Sequence, residues 1–444
     1  MKKETPKQSI AVVGGGITGI AAALGLVKSG HFQVTIFEKA DLLGGMSSSY
    51  QWQDVVCDRF YHVILSADTY LIDFLKDLGL ESQLFWKDTL SGFYGDRQLV
   101  SFSSAVDFLR FPFLSLWQKF RLGAGILYSS RIHNVREIDK VYARDWLTKV
   151  FGAKVYDNFW EPLLRSKLGQ AKDKISAAFI LATIKRLYGA RSSASKQEKM
   201  GHVHGGYRTI LEAARRKLTD LDVAIRTNSP VLKAEIQGDT PKITLTTPSE
   251  RTVFDRVLFT VSCPVISQIM GDYQKHAYWN SLKNIEYLGV LCVLLISKVS
   301  FSPYYVINLL DEELPFTGII ESTNVLSSQE VGGKHLLYLP KYLSQNDPLV
   351  DYSDEEVIEL FMRKLEAVFP GLKDDDIEHR ALFREEYVQP VQGLNSLDSF
   401  NDPRTPVRGI YVGNALSIKD STLNNNAAIT VALMAVKTIL EDGL

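Results

Sequence analysis

Six residues near the start, Gly14-Gly15-Gly16-Ile17-Thr18-Gly19, constrain this chain more than any other feature. They satisfy G-x-G-x-x-G between an apolar run at 9–13, read as a buried parallel strand, and an Ala/Leu-rich run at 17–29, read as a helix stopped by Gly30. The first glycine serves the turn, the second lets backbone approach a pyrophosphate, and the third lets helix pack closely on strand. The amino-terminus of the helix then offers free N–H groups and a positive dipole end to phosphate. The next strand, 33–38, ends in Glu38-Lys39, about 20 residues on, where a carboxylate accepts ribose hydroxyls. An acid there repels a 2′-phosphate, so the expected ligand is a dinucleotide whose adenosine half is unphosphorylated.

The same stretch imitates a leader peptide. Lys2, Lys3 and Lys7 precede 18 uncharged residues, 10–27, that include Ala21-Ala22-Ala23. Three consecutive glycines break a single apolar helix, so a strand, a turn and a helix fit better than a signal segment or a membrane span. The 444 residues carry 50 Lys+Arg against 51 Asp+Glu, which removes the basic footprint of a nucleic-acid binder. Cys57, Cys263 and Cys292 lie far apart without metal-ligand spacing. Reduced thiols, no metal and a cytoplasmic location are expected.

Further along, 69–200 reads as mostly helical, with apolar spacing in 70–78, 102–120 and 175–188. Alternation returns in 223–226, 231–236, 242–246 and 256–261, and strands are also expected at 287–297, 335–342 and 409–413. Ser353 and Glu356 form a capping pair for a helix over 353–368, and 425–440 reads as a last helix. Strand-rich segments at start, middle and end, with helical material between them, imply a discontinuous domain made of 1–65, 201–265 and 380–444. A second domain, 66–200 and 266–379, is inserted into it.

After the second strand comes Leu43-Gly44-Gly45-Met46-Ser47-Ser48, and with it the start resembles the FAD-dependent superfamily of flavin amine oxidases, protoporphyrinogen oxidases and phytoene-type desaturases. Asp58-Arg59-Phe60-Tyr61-His62 resembles the segment beneath the flavin ring in that superfamily. Glu161-Pro162-Leu163-Leu164 through Lys174-Ile175-Ser176, and Gly205-Gly206-Tyr207 with its following helix, are similar to further family elements. So is the strand from Val231, whose backbone faces adenine in relatives. Gly409-Ile410-Tyr411-Val412-Gly413-Asn414, leading to Asn425-Asn426-Ala427, resembles the second FAD motif. The resemblance implies an α/β fold with a discontinuous Rossmann-like, glutathione-reductase-like FAD domain and an inserted domain of mixed sheet and helices that holds substrate. Two positions depart from the usual pattern. Met46 stands where many relatives carry Arg, and Asn414 where many carry an acid; its amide is still able to bond a ribityl hydroxyl.

The implied chemistry is hydride transfer from a largely apolar small molecule to flavin. A sugar-nucleotide mutase using reduced flavin and a non-catalytic flavoprotein are the alternatives. Backbone N–H groups at Asn425, Asn426 and Ala427 are expected at the flavin's pyrimidine edge. His62 lines the site or packs locally. Arg165, with Lys167, holds an anionic group or sits on a solvated helix face, while Tyr207 is a candidate for substrate contact. Tyr387 and Pro390 form a wall over the flavin or part of the core. His202 and His204 lack a third ligand at metal spacing. Finally, 102–136 is rich in Phe, Leu and Trp and holds five basic residues against one acid. This stretch fits a helical core, a substrate tunnel wall, or a surface resting peripherally on an anionic bilayer.

Overall fold

In the computed structural model, residues 7–190, 198–237, 242–273, 275–418 and 423–442 are described. Strand Gln8–Val13 lies at the centre of a five-stranded sheet, and Ile10, Ala11 and Val12 are fully buried. Burial on both faces explains the continuous apolar run, since a parallel sheet covered on both sides has no solvent face to mark by alternation. The strand order is Ile410–Val412, Arg256–Phe259, Gln8–Val13, Phe32–Phe37, Ala224–Arg226, with every neighbouring pair parallel. Helices Ile17–Lys28, Gly206–Asp220 and Asn425–Glu441 share one apolar core with this sheet. The opposite face is covered by the antiparallel strands Lys233–Gln237, Lys242–Thr246 and Arg251–Phe254 and by helices Cys263–Ile269 and Ala277–Lys283. The buried guanidinium of Arg256 pins the last helix to the sheet by donating to the carbonyl of Ile439 at 2.6 Å.

Two further excursions of the chain from this sheet feed a larger mixed sheet. Its order is Ile377–Pro390, Tyr287–Ser297, His335–Leu343, Gly318–Glu321, Tyr304–Leu309, Leu84–Gly95, Glu198–Val203, Ile64–Leu65. The one parallel pair among these is Tyr304–Leu309 with Leu84–Gly95. A helical block that includes Leu116–Ser130, Ala143–Phe151, Glu161–Leu168 and Ala177–Ala190 packs around Phe93, Phe111, Phe151 and Phe159.

Several readings shift. The expected helical span 69–200 contains the long strand Leu84–Gly95, which alternation does not reveal because its second half is buried on both faces. The expected helix over 102–120 is two helices, Ala105–Arg110 and Leu116–Ser130, each opened by its own capping box, Ser104/Asp107 and Ser115/Gln118. The strand expected from Val231 begins at Lys233. Strands Glu198–Val203 and Ile377–Pro390 run across the expected domain boundaries at 201 and 380, and both pair within the larger sheet. The Ser353/Glu356 box is formed, and it opens helix Asp354–Val368.

Candidate active site

The three motif glycines divide their work as the backbone requires. Gly14 has φ +112°, and a Cβ there would lie 2.6 Å from Thr260 Oγ1. A Cβ on Gly19 would lie 1.9 Å from the Gly14 carbonyl, so the helix reaches the turn only without one. At Gly16 a Cβ would meet nothing within 4 Å, which leaves its face open. Facing it is Gly44-Gly45: Gly44 donates its N–H to the Gly15 carbonyl at 2.8 Å, and a Cβ on Gly45 would lie 3.3 Å from Gly16 Cα. Two side-chain-free stretches therefore meet at the amino-terminus of helix Ile17–Lys28, the kind of surface a pyrophosphate can approach. Ile17 is buried, and Thr18 is partly buried.

Glu38, the residue expected at the ribose, is buried, and its carboxylate accepts the N–H of Gly15 at 2.6 Å and that of Ala40 at 2.9 Å. Lys39 beside it is exposed. The Asn228 and Ser229 amides bond the carbonyls of Ala40 and Glu38, which brings the chain leading to the buried Val231 alongside.

At the other end, Gly413 packs under helix Asn425–Glu441, with room for a Cβ only 3.2 Å from Ala435. Asn414 is employed inside the protein: its Nδ2 donates to the Val261 carbonyl at 2.7 Å and its Oδ1 accepts from the Leu416 amide at 3.0 Å. The ribityl contact expected of that amide therefore competes with two bonds that fix the turn. The Ala427 N–H is also taken, by the Asn424 side chain at 2.9 Å, so the helix amino-terminus offers the N–H groups of Asn425 and Asn426. The Asn426 side chain accepts from the Leu71 amide, and Asn425 Oδ1 accepts from Ser47 Oγ at 3.2 Å. Asn425 Nδ2 is buried without a partner at hydrogen-bonding distance among the described residues. Met46, beside Ser47, is partly buried against the core beneath the larger sheet.

The segment after strand Val55–Asp58 enters a cavity lined by Asp58, Tyr61, His62, His202, Gly205, Tyr305, Leu326, Glu330 and Tyr338. His62 tilts against Tyr207, ring centres 4.7 Å apart, and its Nδ1 is 3.9 Å from Asp58 Oδ2. The Tyr207 amide donates to Asp58 Oδ1 at 3.0 Å, and glycine at 206 is needed because a Cβ would stand 2.9 Å from that oxygen. Burial pushes Asp58 up to about 7 and both His62 and His202 down to about 4. Near neutral pH the two imidazoles are therefore uncharged, and Asp58 is poised to hold or release a proton. Glu330 accepts from the Gly205 amide at 2.9 Å and faces His204 Nδ1 at 3.4 Å. Asp58, His202 and Glu330 were not expected in the site. Asp58 belonged to a recognisable segment, whereas Glu330 sits in the short turn Ser328–Val331, which carries no motif.

Two substrate candidates lie elsewhere. Arg165 is paired with Glu161 at 2.7 Å and with the exposed Glu312. Tyr387 packs against Tyr287 and lines a separate cleft with Lys174, Lys283 and Gln345. The strand bulges opposite Gly289, and Val388, not Tyr387, joins the core that contains Tyr61. Tyr207 is buried under His62, a supporting position. Burial pushes the Lys167 ammonium down to about 8. Among the described residues no cluster of three or more His, Cys, Asp or Glu side chains is arranged to hold a metal.

This geometry agrees with the comparisons to known proteins. The model of the family described as flavin containing amine oxidoreductase matches residues 17–419, so the chain belongs to that family and its cofactor is FAD. Among curated relatives, a putative flavin-containing monoamine oxidase of Mycobacterium tuberculosis is 25% identical over 226 residues, 47% of this chain and 48% of its own length. A coproporphyrinogen III oxidase of Staphylococcus aureus is 23% identical, covering 62% of this chain and 65% of its own length. The chain thus spans about half to two thirds of these relatives. The solved structure of a putative protoporphyrinogen oxidase from Exiguobacterium sp. 255-15 superposes with a TM-score of 0.79 at 17% identity, over 98% of this chain and all of that one.

Proposed function

We propose that this protein is an FAD-dependent oxidoreductase acting on a largely apolar small molecule. One observation supports the substrate class: the cavity beside His62 is lined largely by Tyr61, Tyr305, Tyr338, Val325, Leu326 and Leu336, with Asp58, Glu330, His62 and His202 as its polar members and no Lys or Arg among its described lining residues. A phosphorylated substrate entering there would lose its hydration without meeting a cation. Arg165 already pairs with Glu161 and Glu312, so a phosphate held as the sugar-nucleotide mutase reading requires would have to displace two carboxylates there.

The side-chain-free surface of Gly16 and Gly45 suits the pyrophosphate, Glu38 the ribose, and the N–H groups of Asn425 and Asn426 at the helix amino-terminus the ring end. When bound, FAD supplies the acceptor for a hydride. The chain's own part is to exclude water with tyrosines and aliphatic side chains, and to carry protons at Asp58. That carboxyl holds a proton below about pH 7 and gives it up above. His62 stays neutral through this range, so its imidazole lines the cavity without placing a charge there.

Anaerobic mixing of the flavin-loaded protein with apolar amines, polyenes and tetrapyrroles tests the proposal. One class is expected to bleach the flavin stoichiometrically, while sugar nucleotides leave it unchanged. No reduction by any apolar class, or turnover of a sugar nucleotide with pre-reduced flavin alone, would overturn it.

A further inference from the structure

Helix Leu116–Ser130 is inverted relative to an ordinary surface helix. Its inward face is Gln118, Lys119, Leu122, Gly125 and Ser129. Its outward face is apolar: Leu116 is 76% exposed, Trp117 68%, Phe120 66%, Tyr128 58% and Leu127 41%. Trp117 and Phe120 stack with ring centres 5.6 Å apart, and Val106 and Leu109 extend the patch from the preceding helix. Single exposed apolar residues are ordinary, but a contiguous ridge of this kind marks a contact surface.

The inward polar groups are satisfied, so nothing in the fold forces the inversion. Lys119 Nζ donates to the Leu109 carbonyl at 2.6 Å, Gln118 Oε1 accepts the Ser115 amide at 2.7 Å, and Ser129 Oγ donates to the Gly125 carbonyl. Around the ridge the charge is mostly cationic, Asp145 one turn from Lys149 being the exposed acid of helix Ala143–Phe151. Arg110, Arg131 and Lys149 are exposed, and Arg121 and Lys149 border a groove that opens between Trp117, Phe120 and Tyr128. The one acid between 105 and 131 is Asp107, whose carboxylate is held by the Ser101 hydroxyl and the Ser103 and Ser104 amides.

An apolar ridge with an aromatic pair and a basic rim has the chemistry of an in-plane interfacial helix. We propose that this face docks on an anionic phospholipid bilayer, with Leu116, Trp117 and Phe120 at the acyl boundary and Arg110, Arg131 and Lys149 at the phosphates. Among the described residues no helix is long and apolar enough to cross a membrane, so the contact is peripheral. A second copy of the chain is the rival occupant, but a two-fold pairing would set one basic rim against another.

The test is co-sedimentation of the FAD-loaded protein with vesicles of phosphatidylcholine alone and of phosphatidylcholine with phosphatidylglycerol, at low and high salt. The variant is Leu116→Ser/Trp117→Ser/Phe120→Ser, checked for fold by flavin spectrum and melting, and mass in solution is followed by light scattering. The wild type is expected to bind the anionic vesicles, with salt weakening it, and the variant to bind at least about tenfold more weakly with unchanged mass. Failure of the wild type to bind anionic vesicles, equal binding by the variant, or a wild-type dimer that the substitutions dissociate would each overturn it.

Discussion

Asp58 and His62 stand 3.9 Å apart in a cavity that disfavours charge on either. Folding raises Asp58 to about 7 from an unfolded value of roughly 3.9. Between those values the native carboxyl holds a proton that the unfolded chain has lost, so this group makes stability fall as pH rises. His62 falls to about 4 from roughly 6.5. Over that window the unfolded imidazole holds a proton the native one lacks, so stability rises with pH. The two slopes oppose each other across roughly pH 4 to 6.5 and largely cancel. Asp58→Asn removes one of them, and denaturant unfolding should then show stability climbing with pH more steeply than in the wild type, by up to about 1.4 kcal/mol per unit. Identical slopes in the two proteins would show that Asp58 is ionised throughout. Sequence could not reveal this pair. The glycine turn is legible because its constraint is local backbone geometry, whereas Asp58 owes its proton to burial in the folded chain, against the opposing pull of the Tyr207 amide almost 150 residues away.

Among the elements, helix Leu116–Ser130 separates what holds the fold from what faces outward. A Cβ on Gly125 would stand 2.4 Å from the Phe151 ring, so Gly125→Ala overpacks the helical block and should cost about 1–3 kcal/mol in thermal or denaturant unfolding. Phe120→Ser, on the opposite face, should change stability by no more than about 0.5 kcal/mol. A large loss at Phe120 would mean that the ridge is core after all. The apolar content of this region was plain from sequence, but its partition was not. Lys119 and Gln118 look like solvated positions until Leu109 and Ser115 are seen to satisfy them. Strand Tyr287–Ser297 was readable from one unbroken buried run, while Leu84–Gly95 was hidden because half of it lacks any period.

On the scale of the whole molecule, the proposed nucleotide cradle draws on pieces that are remote in the chain. Gly16 and Gly45 come from the first βαβ unit, Val231 from the middle, and Asn425 and Asn426 from the last helix, whose side chains reach back to Ser47 and Leu71. Each piece carries a sequence motif, and at Gly14 and Gly45 that motif includes a positive-φ backbone. The strand order that joins them depends on long-range pairing of Arg256–Phe259 with both Gln8–Val13 and Ile410–Val412, which no local pattern encodes. A ligand spanning such pieces stabilises the fold by mass action, by about 2.7 kcal/mol at a hundredfold excess over its Kd. The most direct test of this cradle is a titration of flavin-free protein with FAD, beside Gly16→Ala, whose added Cβ meets nothing within 4 Å in the protein itself. The cradle predicts one FAD per wild-type chain, and a variant that melts like the flavin-free wild type yet binds FAD at least about tenfold more weakly. A wild-type protein that takes up no FAD, or a variant that binds it equally well, would contradict the assignment.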